Sequence, residues 1–508
     1  MELELKTTHL NSYDTVLDTT VFQEETMESI VPDACPDIQR ILDTEAMVCL
    51  RSKEAQEGRV EVAGTARCAI LYLPDGAEGP RRITVSMPFT SAAEAAGIRS
   101  SCVVIAVPRV LSADTRILNP RKVLTRISLA VDIRVYCPIS DSICDSVESE
   151  PAAGIRQLLE TQQINLVSAV GEKPFTFSDD LNFPGARPPA AELLKSRVDL
   201  VCNDSKIIGN KLIFKGEANL RLVYRNSSGG LSTVAFELPF SQIMEVSGVG
   251  EDAECSLQVV LTGCDCTLEG GEGRTVAVSL SMLAQASVQE ERQISMLSDI
   301  YSTAFQLSVQ HCEHSFSKVV ENDEHRVNIR EMMETPVQMR DVLDVYVNIG
   351  EVTQRREENK SILSAETFVT LLCMGEDDNL YTVNKSVPAT CPVELPKGVS
   401  CSAHCACSGE CSATSVGGGV EIRYLLAFHC LARQTINAVG VSEMHLEENS
   451  PRDSSAQPSI VLRMVGEGER LWDIAKVYGT TTEEITQANA LSEETLPAGQ
   501  VLLIPKKR

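Results

Sequence analysis

Four cysteines and a histidine fall within eleven residues in the run Cys401-Ser402-Ala403-His404-Cys405-Ala406-Cys407-Ser408-Gly409-Glu410-Cys411. Thiolates and an imidazole are zinc ligands, and neighbouring thiols also cross-link on oxidation. The spacing, C-x3-C-x-C-x3-C, lacks the C-x2-C pair that marks a zinc knuckle. All four cysteines carry odd numbers, so an extended strand sets them on one face. They also fall in step with apolar positions elsewhere: Cys401 with Cys102 and Cys255, Cys405 with Ala106 and Val259, Cys407 with Pro108 and Leu261. The expectation is apolar strand packing. Zinc ligation by Cys401, His404, Cys405, Cys407 and Cys411, and oxidative cross-linking, are the alternatives.

No other set of residues is arranged for catalysis. His311 and His314 flank Cys312-Glu313, which is not the His-Glu-x-x-His zinc motif. His429 alternates out of an apolar strand beside Glu421 and Arg423 and reads as solvated. No Gly-x-Ser-x-Gly elbow occurs. The runs Gly270-Gly271-Glu272-Gly273 and Gly417-Gly418-Gly419 lack the lysine of a phosphate loop and read as hairpin turns. The acidic pairs Asp179-Asp180 and Asp377-Asp378 read as solvated turn residues. The chain is therefore expected to be no enzyme and to use no cofactor.

Composition narrows the partners. The chain has 508 residues, with 45 Lys and Arg against 71 Asp and Glu, a net charge of −26. That balance repels nucleic acid and anionic membrane. Met1-Glu2-Leu3-Glu4-Leu5-Lys6 is unlike a signal peptide, and no run approaches the ~18 apolar residues of a spanning helix. A soluble, cytoplasmic protein is expected, its eighteen cysteines being small core side chains rather than a disulfide framework.

Internal repetition supplies the organisation. Gly64 to Tyr72 (GTARCAILY) is followed by Pro88-Phe89, and Gly216 to Tyr224 (GEANLRLVY) by Pro239-Phe240, at an offset of 152 residues. A third copy keeps the spacing with other residues: Ala365 for the glycine, Cys373 for the tyrosine and Pro388-Ala389 for Pro-Phe, 149 residues further on. Within each copy apolar residues alternate, as in Ile127, Leu129, Val131, Ile133 and Val135, which means half-buried antiparallel strands. Turns such as Pro74-Asp75-Gly76 and Asn226 to Gly230 separate them. Each copy also carries a short helical candidate near its start, for example Pro36 to Leu42. The fold class expected is mainly β: three tandem β-sandwich-like repeats of about 150 residues over 1–150, 151–298 and 299–440. A polar, proline-bounded linker follows over 441–459, then a small βααβ domain over 460–508.

In that last domain Leu471, Ile474, Ala475 and Tyr478 share one helix face, and Gly479 ends the helix. Thr481 and Glu484 form a capping box for a second helix ending at Asn489. The strings Leu471-Trp472-Asp473-Ile474-Ala475, Tyr478-Gly479, Asn489, Pro497-Ala498-Gly499-Gln500 and Ile504-Pro505 closely resemble the LysM domain. LysM domains typically bind N-acetylglucosamine-containing glycans between two loops. The resemblance makes Gly468, Glu469, Arg470, Leu471, Trp472, Asn489, Ala490 and Leu491 the candidate glycan- or partner-binding residues. Arg470 stands where the family usually has threonine. Trp472 reads either as packed on the small core or as an exposed anchor for a partner.

The repeats have a resemblance too. Val31 to Ile38 (VPDACPDI), the Gly64–Tyr72 strand, Pro88-Phe89 and the Ile127–Val135 strand are similar to the SPOCS repeat of bacterial endospore coat proteins. Such repeats ending in one LysM module resemble clostridial-type coat morphogenetic proteins. That resemblance implies a non-enzymatic mother-cell scaffold at the forespore surface. Its LysM module would bind a coat-basement ATPase, stage IV sporulation protein A-like, and its repeats other coat proteins. Peptidoglycan binding at the spore cortex is the alternative.

Overall fold

The computed structural model describes residues 3–76, 79–250, 252–357, 360–452, 458, 460–491 and 496–505. Strands take up 78% of the protein and helices 4%, so it is mainly β. Strands β1 (Glu4–Ile30), β2 (Ile38–Gln56), β3 (Arg59–Pro74), β4 (Arg81–Glu94), β5 (Val103–Asn119) and β6 (Lys122–Glu148) make the first unit. The second comprises β7 (Ile155–Asn182), β8 (Ala190–Ile208), β9 (Lys211–Asn226), β10 (Leu231–Glu245), β11 (Glu254–Glu269) and β12 (Thr275–Ser302). The third comprises β13 (Phe305–Glu334), β14 (Met339–Glu357), β15 (Lys360–Gly375), β16 (Leu380–Glu394), β17 (Val399–Val416) and β18 (Gly419–Pro451).

The pairing is the same in all three units. The first and sixth strands run antiparallel along their whole length, as in β1 and β6, where Glu4 faces Glu148 and Ile30 faces Lys122. At about 3.3 Å per residue, the 27 residues of β1 make a strand roughly 90 Å long, its distal half in the head and its proximal half an arm. The second, third and fourth strands form a separate sheet that packs over the fifth and the distal half of the sixth, giving a sandwich head. The alternation read in the sequence fills its core: Ile70, Tyr72, Met87, Ile127 and Ile133 in the first head, Phe214, Tyr224 and Leu280 in the second. The buried tyrosines find partners, Tyr72 Oη donating to Pro36 O at 3.2 Å and Tyr224 Oη to Pro188 O at 3.0 Å.

Cross-strand register explains the Gly…Pro-Phe signature. Gly64 faces Phe89 and Gly216 faces Phe240. A Cβ on Gly64 would lie 2.4 Å from the Phe89 ring, and one on Gly216 2.6 Å from that of Phe240. In the third unit Ala365 faces Ala389, so a smaller partner leaves room for the methyl.

The helix expected at Pro36 to Leu42 is corrected: Ile38 begins β2. Register shifts between Ile38 and Arg40 and between Ile41 and Asp43 insert two bulges within five residues. Extra residues break the two-residue period, and the resulting spacing of Ile38, Ile41 and Leu42 imitates a helix face. The doubled bulge recurs in β8 and β14. Asp179 and Asp180 also lie within strand β7, not in a turn.

The residue just past the second bulge in each unit lies where the three heads meet. Lys195 Nζ reaches Asp43 Oδ2 at 2.7 Å, Asp344 Oδ2 at 3.0 Å and Glu45 Oε2 at 2.7 Å, all with side chains at most 10% exposed. The separations of Lys195 from Asp43 and Asp344 are 152 and 149 residues, those of the repeat, so equivalent positions converge on a pseudo-threefold axis. Arg197 continues the layer to Glu45 and, through Asp344, beside Tyr346. Burial alone would depress the Lys195 ammonium, but its three carboxylate neighbours hold it well above its ordinary range. Burial would likewise raise Asp344, yet Lys195, Arg197 and Arg221 hold it well below.

Each head touches both others. Between first and second, buried Gln285 exchanges hydrogen bonds with Ala106 N and O at 3.0 and 2.8 Å. Between first and third, Arg109 Nη1 donates to Ile349 O and Gly350 O, both at 2.9 Å. Below the heads the arms join into a stalk around Leu10, Ile143, Ile164, Ile294, Met296 and Phe316.

Two further expectations are corrected. Strand β18 runs to Pro451, which faces Phe305, so the first part of the expected 441–459 linker belongs to an arm. A bulge opposite Gln310 and His311 disguised the alternation of Val441, Met444 and Leu446. Residues 453–457 and 459 of that linker lie outside the described residues. The cysteines are not all free: Cys102 and Cys137 are joined, with Cα atoms 4.2 Å apart, while sixteen remain thiols.

Candidate functional site

The small module contains β19 (Ile460–Met464), α1 (Leu471–Tyr478), α2 (Thr482–Asn489) and β20 (Val501–Pro505). Leu471, Ile474, Ala475, Ile485, Leu502 and Ile504 are its buried core. The capping box at α2 forms as expected: Glu484 N donates to Thr481 Oγ1 at 3.1 Å and Thr481 N to Glu484 Oε2 at 3.2 Å. Arginine offers no acceptor to the start of α1. The Asp473 carboxylate serves that helix end instead, accepting from Arg470 N at 3.3 Å and Nε at 3.1 Å.

The eight candidate residues divide by what already holds them. Gly468 sits at an open turn with φ 74°. Glu469 accepts from Gly466 N at 2.9 Å and Arg463 Nη2 at 3.0 Å, bracing the same loop. Leu471 is core, and Leu491 is half-buried against it. Asn489 has its whole amide engaged: Nδ2 donates to Ile485 O at 2.8 Å and Leu503 O at 2.7 Å, and Oδ1 accepts from Leu503 N at 2.7 Å. It clamps α2 to β20. Ala490 closes α2 in the left-handed region at φ 51°.

Trp472 packs half-buried against the small core, one of the two places expected of it, and that core extends to the stalk. Its Nε1 donates to Asp299 Oδ2 at 2.8 Å, and its ring meets Tyr301 edge-on with centroids 4.8 Å apart. Both partners belong to β12, at the proximal end of the second arm. Lys476 Nζ reaches Asp299 at 2.7 and 2.8 Å, Tyr301 Oη donates to Thr480 O at 2.9 Å, and Arg452 Nη1 to Lys476 O at 3.1 Å. Burial would raise the Asp299 carboxyl, but hydrogen bonds from Lys476 and Trp472 hold it below its ordinary range. The module is thus docked on the stalk. Asp299, Tyr301 and Arg452 lie outside every motif and carry no sequence signal of their own.

Docking leaves the outer face of the module's sheet bare. Leu462 faces Leu503 and Met464 faces Val501. Ile460, Leu462, Met464 and Val501 are 60%, 69%, 62% and 57% exposed, an apolar stripe with no cover among the described residues.

The cysteine run lies on β17. Cys401, Cys405, Cys407 and Cys411 pack half-buried on the core of the third head. Burial pushes Cys405 and Cys407 up to about 12 and Cys411 to about 11. His404 points the other way, toward the first unit, where burial lowers its pKa to about 4 and Nε2 has no hydrogen-bond partner. The five side chains do not converge, and no group of three or more potential ligands is arranged to hold a metal among the described residues. His429 is exposed, 3.3 Å from Glu324. A cavity of about 1130 Å³ borders the charged axial layer; Arg197, Tyr346 and Cys407 are among its lining residues. No helix among the described residues is long and apolar enough to cross a membrane.

This is an architecture of β-sandwich heads with a docked βααβ module. The family model described as SipL, SPOCS domain, matches residues 37–118 and 189–269, and the LysM domain model matches 464–505. The protein thus carries two SPOCS domains and a LysM domain. The SPOCS matches coincide with β2–β5 and β8–β11, strands of the heads, and the first and sixth strands of each unit lie outside them. Strands β14–β17, outside the matched residues, repeat the same topology. No curated protein matches the chain. Both matched domain types are binding modules, and together they fit a sporulation-related scaffold or binding role.

Proposed function

We propose that the protein is a non-enzymatic scaffold of endospore coat assembly, acting in the mother-cell cytoplasm at the forespore surface. Its LysM module binds a coat-basement morphogenetic ATPase, stage IV sporulation protein A-like, and its heads make further coat-protein contacts. The observation that carries this reading is the bare stripe of Ile460, Leu462, Met464 and Val501. Apolar patches of this kind fit protein surfaces, whereas a glycan groove needs free polar groups, and the Asn489 amide is already spent.

The test is a titration of the full chain against the ATPase of the same organism and, separately, against chito-oligosaccharides. The expected result is saturable ATPase binding, weakened at least tenfold by Leu462→Glu, about the effect of losing one well-buried contact, with no sugar affinity. Saturable sugar binding without ATPase binding overturns the reading in favour of cortex glycan.

A further inference from the structure

Strand β17 closes the ring of heads. Its odd-numbered residues face the core of the third unit, and its even-numbered residues face the first: Ser402 Oγ donates to Asp18 Oδ2 at 2.9 Å, and His404 is half-buried beside Arg109 and Asp132. At the proximal end of this strand Cys401 Sγ lies 3.2 Å from Cys430 Sγ on β18. Cys430 is 1% exposed and Cys401 half-buried. In the first unit Cys102, in step with Cys401, is joined to Cys137 on β6; in the third the residue facing Cys401 is Ala432, and Cys430 lies diagonally, opposite Ala403. In the second unit β12 holds no cysteine, so Cys255 has no partner on that strand.

We propose that Cys401 and Cys430 form a second cross-strand redox site, which a low-molecular-weight disulfide oxidises to an intrachain bond that staples β17 at the seam between third and first heads. The half-buried Cys401 thiolate attacks one sulfur of the oxidant, giving a mixed disulfide and releasing one thiol. Cys430 then attacks the Cys401 sulfur, and the second thiol leaves with the electron pair of the broken bond. Two protein thiols are oxidised, one disulfide is reduced to two thiols, and the proton count balances. The order follows from the pair itself: the hydrogen bond shared by the two sulfurs holds the Cys401 thiol below its ordinary range against the effect of burial, while Cys430 is raised. A lowered, reachable thiol is the better attacking group.

The test uses the full chain equilibrated with oxidised glutathione under native conditions, then alkylated and mapped by peptide mass. A Cys401–Cys430 linkage is expected in the wild type, and a persistent glutathione adduct on Cys401 in Cys430→Ser. Amide exchange across β17 should slow on the order of 30-fold or more, the lower end of what such a bond contributes. Recovery of both thiols alkylated, linkage of Cys401 to Cys405, Cys407 or Cys411, or unchanged exchange after linkage overturns the proposal. The wild-type map decides the matter even if Cys430→Ser folds poorly.

Discussion

At residue scale the three units differ most tellingly where glycine meets phenylalanine. The pairs Gly64–Phe89 and Gly216–Phe240 place a ring over a bare backbone, and the third unit replaces both partners together as Ala365 and Ala389. In β14 the neighbouring bulge is also wider, skipping Gly350 and Glu351 where β2 skips Arg51 alone. The third unit is thus a repacked version of the same site rather than a decayed one. Ala389→Phe should therefore cost about 1–3 kcal/mol through overpacking against the Ala365 methyl. The double variant Ala365→Gly/Ala389→Phe should recover most of it, since contacting residues are not additive. Chemical denaturation of the single and double variants checks this; equal losses in both would mean the ring finds its room elsewhere.

At element scale, strands that alternate regularly were legible and strands that bulge were not. The Ile127–Val135 segment reads directly as half-buried β, and the tyrosine and Pro-Phe landmarks locate the heads that the SPOCS model matches. The doubled bulge in β2 turned a strand start into an apparent helix, and the polar arm strand at 441–451 looked like a linker because one face of an arm is solvated. The module's fold was readable from its motifs, but its dock was not, because Asp299 and Tyr301 gain their role only from the distant helix α1 brought against them. Trp472 is the one tryptophan of the chain, so its emission reports that contact alone. Asp299→Ala should red-shift the emission and free α1 from the stalk while leaving the module's own core intact. Acid should do the same. The depressed Asp299 carboxyl stabilises docking fully above its ordinary 3.8, and that contribution is lost as pH falls through its lowered value.

At the scale of the whole molecule, the axis is held by charge. A buried pair contributes little net stability when intact, but removing one partner strands the other. Lys195→Met leaves Asp43, Glu45 and Asp344 without their shared cation and should cost about 3–5 kcal/mol, read from the denaturation midpoint. The pH window follows from the two shifts. The Asp344 contribution is complete above 3.8 and lost as pH falls through its depressed value; that of Lys195 is complete below 10.5 and lost as pH rises through its raised one. Small-angle scattering should give a constant radius of gyration between those limits and an expansion in acid. An unchanged radius once the pH has fallen below that depressed value would mean that apolar contacts alone hold the heads. The offsets of 152 and 149 were visible in the sequence, but a repeat spacing does not say which equivalent residues meet on an axis.

Because every arm pairs its first strand with its last from end to end, Glu4, Glu148, Ile155, Ser302, Phe305 and Pro451 all lie at the same end, where the module is docked. The molecule is an umbrella with its handle and every joint of the chain below and three canopies above. Units in a layer gripped by their handles would all point one way, giving that layer an inside and an outside without any further instruction.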